Sequence, residues 1–324
     1  MDDAAFAWAA AQLPDRSGVT FTPLKAEASF RSFFRVADRG DGEPVVLMVS
    51  PPEKERNDQF ETLSRVFCDA GIPVPDILAR DPDRGFYVLR DVGARDLESL
   101  YGGPWEAAAL EAAIETLIRL QTVHHPAIAP YTLERLEDEL GIFEEWFATA
   151  LLSSAIPDPV GRVFRLLVEH AAAQPQCCVH RDYHCRNLLF APDTGRLGVV
   201  DFQDALIGPV SYDLASLLHD CYHEFGREDI DHWREWYRSR AAYELEAEAF
   251  ARDVDWMAVQ RQLKAVGIFA RLKLRDGRAT HLAHIPPVLD HLRGLTRRYP
   301  ALEPLADWLG ALDDDHLADV LAAA

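Results

Sequence analysis

Asp182 follows His180-Arg181 and precedes Asn187 by five residues, and Asp201 lies fourteen residues beyond Asn187. These side chains at these spacings suit phosphoryl transfer. One carboxylate can take the proton of an attacking hydroxyl, while an amide and a second carboxylate can hold Mg²⁺ against the phosphates of ATP. Oxygen donors match a hard cation better than nitrogen or sulfur would. An isolated His-Arg-Asp is common, and a lone aspartate after a strand is often a cap. Five specified residues at the right spacings, joined by a predicted hairpin, are a stronger signal. Leu188-Leu189-Phe190 and Leu197-Gly198-Val199-Val200 are apolar runs on either side of the turn sequence Pro192-Asp193-Thr194-Gly195. Such a hairpin would bring Asn187 and Asp201 to one end.

The preceding chain divides into two patterns. Phe6, Trp8, Ala9 and Leu13 predict a helix that stops before Pro14. Strands are expected at Val19 to Leu24, Phe33 to Val36, Val45 to Val49, near Ile77-Leu78, and at Phe86 to Leu89. An Asp38–Gly42 turn separates the second and third, and a charged helix is expected from Glu53 to Ala70. After residue 92 the pattern turns helical. A helix follows Gly102-Gly103-Pro104, and others are expected at Leu133 to Leu151, Val160 to Ala173 and Gln260 to Arg275. The expectation is an α+β chain of two lobes. A small N-terminal lobe, residues 1–91, carries an antiparallel sheet plus a helix, and residues 92–324 form a large, mainly helical lobe.

The formal net charge of −20 over 324 residues argues against nucleic-acid or anionic-membrane partners. The five cysteines have no metal-ligand spacing and no disulfide framework. No apolar run is long enough to span a bilayer, and the acidic start Met1-Asp2-Asp3 is unlike a signal peptide. A cytoplasmic protein is expected.

Other residues bear on the same chemistry. Ser29-Phe30-Arg31-Ser32 lies between the first two strands, where a phosphate-covering loop would be glycine-rich; serine hydroxyls, backbone amides and Arg31 are what it offers instead. Met48 occupies the third-strand position where a kinase usually carries a lysine paired with a glutamate of the next helix. Glu61 stands near that glutamate's position, and Lys25, Arg31, Arg35 or Lys54 are the candidate substitutes. The missing lysine also admits a nucleotide-binding pseudokinase. Asp213, in Gly208-Pro209-Val210-Ser211-Tyr212-Asp213, can cap the helix that follows it or bond back to the catalytic-loop backbone. The segment between Asp201 and that helix is short, which favours a small substrate over a protein. Arg261, Lys264, Arg271, Lys273 and Arg275 make one basic helix in an acidic chain, either a solvated face or a site for an anionic substrate group.

Ala28 to Val36, Val179 to Leu189, Val200-Asp201-Phe202-Gln203-Asp204-Ala205, Tyr212 to Leu218 and Gln260 to Gly277 together resemble the aminoglycoside phosphotransferase and choline kinase family. The last helix and the Asp-Phe-Gln-Asp-Ala string point to its cell-wall amino sugar kinases, in which the third-strand lysine is typically absent. This resemblance implies a protein-kinase-like fold and ATP- and Mg²⁺-dependent phosphorylation. The expected acceptor is the anomeric hydroxyl of N-acetylmuramate or N-acetylglucosamine, for peptidoglycan recycling. It implies Asp182 as catalytic base, Asn187 and Asp201 as metal ligands, and His180 and Asp213 as loop supports. Ser29, Phe30, Arg31, Ser32 and Leu89 are the implied nucleotide contacts, and Arg186, Asp204 and Arg271 the implied substrate contacts. Choline, an aminoglycoside or homoserine would be alternative acceptors.

Overall fold

The strand Val45–Val49 is buried along its whole length, and one compact unit is arranged around it. The computed structural model describes residues 2–13, 19–24, 30–37, 44–191 and 195–323. Lys25, Ser29, the 38–42 turn and Pro192-Asp193-Thr194 lie outside them. The described chain packs as two compact units: Met1–Ile128 with Cys185–Ala205, and Ala129–His184 with Leu206–Ala324.

In the first unit, β1 (Thr20–Pro23), β2 (Ser32–Ala37), β3 (Val45–Val49), β4 (Ile77–Asp81) and β5 (Phe86–Arg90) form an antiparallel sheet of order β1-β2-β3-β5-β4. Period-two alternation sorts its side chains to two faces. Val45, Leu47, Val49, Phe86 and Val88 pack with Ala5 and Ala9 of α1 (Asp2–Gln12). Met48 and Tyr87 point the other way, where Phe60 of α2 (Asn57–Asp69) meets the Tyr87 ring edge-on at 5.9 Å. A three-stranded sheet of β6 (Arg95–Asp96), β8 (Leu188–Phe190) and β9 (Leu197–Val199) completes the unit with α3 (Glu106–Leu120). Phe202, just past β9, stacks on Phe60 at 5.3 Å and meets Phe67 edge-on at 5.8 Å, so the hairpin is anchored to α2.

The second unit holds the two-stranded pair β7 (Gln176–Val179) and β10 (Leu206–Pro209) and the helices α4 (Leu133–Ile142), α5 (Asp158–Ala173), α6 (Tyr212–Leu218), α7 (Arg227–Arg238), α8 (Ala247–Leu274), α9 (Ile285–Thr296), α10 (Glu303–Gly310) and α11 (Asp314–Ala323). The 28-residue α8 is its axis; apolar residues on every side of it are buried, from Phe250 to Leu272. Glu246 caps it by accepting from the Glu248 and Ala249 N–H groups.

One element was not expected and one expectation changes. The segment from Gly208 leads into α6 as expected, but Leu206–Pro209 is also a strand, unforeseen because its partner β7 precedes it by some thirty residues and neither run is long enough to announce itself. The stretch expected as one helix from Leu133 to Leu151 becomes π-helical at Phe143–Leu151, which turns Phe143, Phe147, Ala148 and Leu151 inward. There α8 comes so close that a Cβ on Gly267 would lie 2.6 Å from the Phe143 nitrogen. Gly267→Ala is therefore expected to lower stability by about 1–3 kcal/mol, as overpacking does. Gly161→Ala in α5, where an added Cβ meets nothing within 4 Å, is expected to be neutral or stabilising. Urea unfolding of the two variants checks the contrast.

Candidate active site

The chain leaves β7 at Val179 and enters the His180–His184 loop, whose backbone is held by a carboxylate from α6. Asp213, fully buried, accepts the His180 N–H at 2.6 Å and the Arg181 N–H at 2.9 Å. Arg181 has φ +79°, a left-handed conformation that costs a non-glycine residue on the order of 1 kcal/mol or more and persists only where surroundings impose it. Burial pushes the Asp213 carboxyl up to about 7, against the opposing pull of those two N–H groups. His180 is buried, its ring 5.6 Å from the Tyr183 ring.

Behind the loop lies a buried charge cluster. Glu139 of α4 accepts from Arg181 Nη2 at 2.7 Å and from Lys264 Nζ at 3.0 Å through one carboxylate oxygen. Its other oxygen accepts from the Tyr131 hydroxyl and, at 3.4 Å, from the Tyr212 hydroxyl. Arg261 donates to the Arg181 carbonyl at 3.0 Å and stacks over the Tyr212 ring. Burial alone would raise the pKa of Glu139, but Lys264 and Arg181 outweigh it and hold the group ionised. The same competition governs Asp182: desolvation works to raise it, while Lys264, Arg181, Arg261 and His184 bring it down to about 2. The partly exposed Asp182 is thus a carboxylate at neutral pH.

The implied metal ligands lie in the other unit, on the β8–β9 hairpin. Val200 donates its N–H to the Asn187 carbonyl at 3.0 Å, so Asn187 and Asp201 stand at one end of the hairpin. Asp201 is exposed, has φ +65°, and accepts from Gln203 Nε2 at 2.7 Å. A carboxamide and a carboxylate side by side form an oxygen donor set that fits a hard divalent cation.

The remaining expected residues are spread over both units. Phe30 is exposed with Lys54 Nζ 4.7 Å above its ring. Arg31 is buried, donating to Ser50 Oγ at 3.2 Å and pairing with Glu55 at 3.4 Å. Ser32 begins β2, and Leu89 on β5 is buried opposite Val46. Met48 is fully buried beside Tyr87, and the Tyr87 hydroxyl donates to Glu61 at 3.0 Å, with Arg80 as Glu61's ion-pair partner. Glu61 thus has two partners without any third-strand lysine. Arg186 donates to Glu98 at 2.7 Å, and Asp204 is exposed. Arg271 lies ten residues along α8 from Arg261, roughly 15 Å at helical rise, and does not join the cluster around Asp182.

Glu139, Tyr131 and Tyr212 escaped the sequence reading. The available signal was an acidic residue between Leu136 and Leu140, on the apolar stripe of its helix. Arg261 and Lys264, read with their helix as a solvated face or a site for an anionic group, are not a freely solvated face: Lys264 is buried against Glu139 and Arg261 bonds the loop at the Arg181 carbonyl. Glu139→Gln leaves Arg181 and Lys264 buried against each other and is expected to cost about 3–5 kcal/mol. Lys264→Met leaves the Glu139–Arg181 pair intact and is expected to cost less. Chemical unfolding of both variants reads the difference.

The model of the phosphotransferase enzyme family matches residues 20–250. The chain is 38% identical over 312 residues to the N-acetylmuramate/N-acetylglucosamine kinase of Neisseria meningitidis serogroup B, covering 92% of each chain. It is 34% identical over 303 residues to the protein of that name from Pseudomonas putida, covering 90% of this chain and 88% of that one. Among solved structures, a choline/ethanolamine kinase family protein from Mesorhizobium loti superposes over 99% of both chains with TM-score 0.64 at 19% identity. Aminoglycoside phosphotransferase APH(4)-Ia, in a ternary complex with AMP-PNP and hygromycin B, does so over 86% of this chain and 93% of that one, with TM-score 0.62 at 15% identity. With its protein-kinase-like α+β fold, this chain belongs to the phosphotransferase enzyme family and is a small-molecule kinase.

Proposed function

We propose that this kinase transfers the γ-phosphoryl group of ATP to the anomeric hydroxyl of N-acetylmuramate and N-acetylglucosamine, forming the sugar 1-phosphate for peptidoglycan recycling. The observation that carries the reading is Asp182, a carboxylate held ionised by Lys264, Arg181 and Arg261 in the middle of a loop locked by Asp213. The names of relatives at 34–38% identity over about nine-tenths of the chain support the acceptor class.

Asp182 would accept a hydrogen bond from the acceptor hydroxyl and orient its lone pair. A carboxylate with a pKa of about 2 is a weak base, so the proton passes to it late, once the bond to phosphorus has formed far enough to acidify the hydroxyl. Asn187 and Asp201 would hold Mg²⁺, which when bound supplies charge neutralisation at the transferred phosphoryl group. Residues 1–91 would form the nucleotide lobe, with Ser29, Phe30, Arg31, Ser32 and Leu89 towards ATP. Residues 92–324 would carry catalysis and acceptor binding, with Arg186, Asp204 and Arg271 as acceptor contacts and His180 and Asp213 as loop supports. Arg271 would serve the lactyl carboxylate of N-acetylmuramate. All five cysteines are free thiols, which suits a reducing cytoplasm, and no described helix is long and apolar enough to cross a membrane.

Turnover with Mg-ATP and each sugar, followed by ³¹P and ¹H NMR, is expected to consume the reducing end and yield a sugar 1-phosphate. Phosphate on another hydroxyl would reject the anomeric assignment, and ATP binding without transfer to any acceptor would favour a pseudokinase. Asp182→Asn is expected to lose on the order of 10²–10⁴-fold in kcat. Because the base is ionised above its pKa of about 2, activity falls through this group only well below neutrality. A pH–rate profile that assigned an acid limb near pH 6 to Asp182 would contradict that.

Arg271→Ala is expected to raise KM for N-acetylmuramate more than for the uncharged N-acetylglucosamine. Equal effects on both sugars, measured by initial rates, would remove Arg271 from carboxylate recognition.

A further inference from the structure

A cavity of about 200 Å³ opens in the second unit between the end of α6, the segment after it, α8 and α9. At roughly 30 Å³ per water it has room for about seven waters, the scale of a monosaccharide. Its polar walls include Tyr222, His223, Glu224, Gln262, His284 and His291, and its apolar side is formed by Phe225, Ile230 and Val288. Among the described residues no lysine or arginine lines it, and Asp220 and Glu224 are its carboxylates.

Three routes tie this cavity to the catalytic loop. The Tyr222 ring lies 5.5 Å from the His184 ring, and His184 is two residues past Asp182. Gln262 adjoins Arg261, whose guanidinium donates to the Arg181 carbonyl at 3.0 Å. α6 begins with Tyr212 and Asp213, which anchors the loop amides, and ends at Leu218 on the cavity wall.

The back wall is cross-bonded and uncharged. His219 and His291 bond ring to ring at 3.2 Å, and His291 reaches Gln262 at 2.9 Å, clamping α9 to α8. Burial lowers the pKa of both imidazoles, keeping them neutral at neutral pH. Gln262 Nε2 in turn donates to the His219 carbonyl at 3.1 Å, so this wall is bonded within itself and hydrogen bonds to hydroxyl and amide groups of a ligand fall to Tyr222, His223 and His284. The carboxylates repel an anion, and the apolar side suits a methyl group or the C–H face of a ring.

We infer that this cavity binds the uncharged part of an N-acetylated pyranose, the portion common to N-acetylmuramate and N-acetylglucosamine. The inference rests on the amino sugar reading above. It assigns Tyr222, His223, His284 and Val288 as acceptor-binding residues and excludes the lactyl carboxylate from their side of the sugar. Variation here should therefore change affinity for both sugars alike.

Initial-rate kinetics on His223→Ala, His284→Ala and the cavity-filling Val288→Phe test this, with circular dichroism melts to confirm folding. Each alanine variant is expected to raise KM for both sugars by a common factor, roughly threefold to tenfold for a lost hydrogen bond, and to leave KM for ATP where it was. Val288→Phe is expected to raise it further. Unchanged sugar KM values, a rise for N-acetylmuramate alone, or a parallel rise for ATP would overturn the assignment. If the wild type phosphorylates neither sugar, the functional reading fails on its own. Calorimetric titration with N-acetylglucosamine then decides the cavity: binding lost in Val288→Phe supports it, and no binding to the wild type rejects it.

Discussion

Arg181 and Lys264 can be buried side by side only because Glu139 sits between them, accepting from both through one oxygen while two tyrosine hydroxyls share the other. Remove the anion and two cations face each other without solvent. With it in place, α4, α6 and α8 are tied to the strand end from which the His180–His184 loop departs. The electrostatic consequence reaches one residue further. The surplus positive charge of Arg181, Lys264 and Arg261 falls on Asp182, which stays ionised despite its desolvation. The cluster thus fixes the loop's shape and the protonation state of its central residue together, and the strained φ of Arg181 is what that double constraint imposes.

Asp213 illustrates the opposite balance. It accepts two short N–H bonds, yet full burial leaves its pKa near neutrality, because backbone dipoles offset desolvation less well than whole charges do. Two aspartates of one unit are therefore driven apart in pKa, one by cations and one by amides. That divergence leaves one ionised at neutral pH and the other near its titration point.

In the sheet-bearing unit, the absent third-strand lysine is accommodated by its neighbours. Met48 fills the position as an apolar side chain against α2, and Glu61 is satisfied by the Tyr87 hydroxyl and Arg80. Those two partners come from β5 and β4, the next two strands of the sheet. Arg31, buried against Ser50 and Glu55 near the end of β3, is the cation this arrangement retains there.

Local pattern and spacing determined a good deal by themselves. The antiparallel strands, the α2 helix, the β8–β9 hairpin and the motif residues that precede and flank it follow from alternation, turn residues and fixed offsets, all of which act over a few residues. What escaped were relations between distant segments. The pairing of β7 with β10 depends on runs of four residues some thirty apart, too short to carry a period. The π-helical turn at Phe143 accompanies the approach of Gly267, more than a hundred residues away. Arg261 and Lys264 could be read only as a solvated face or a site for an anionic group, because nothing near them in sequence reveals that they contact Glu139 and the loop. Motif chemistry is written locally; burial and charge balance are long-range properties, and only tertiary packing decides which cations meet which carboxylates.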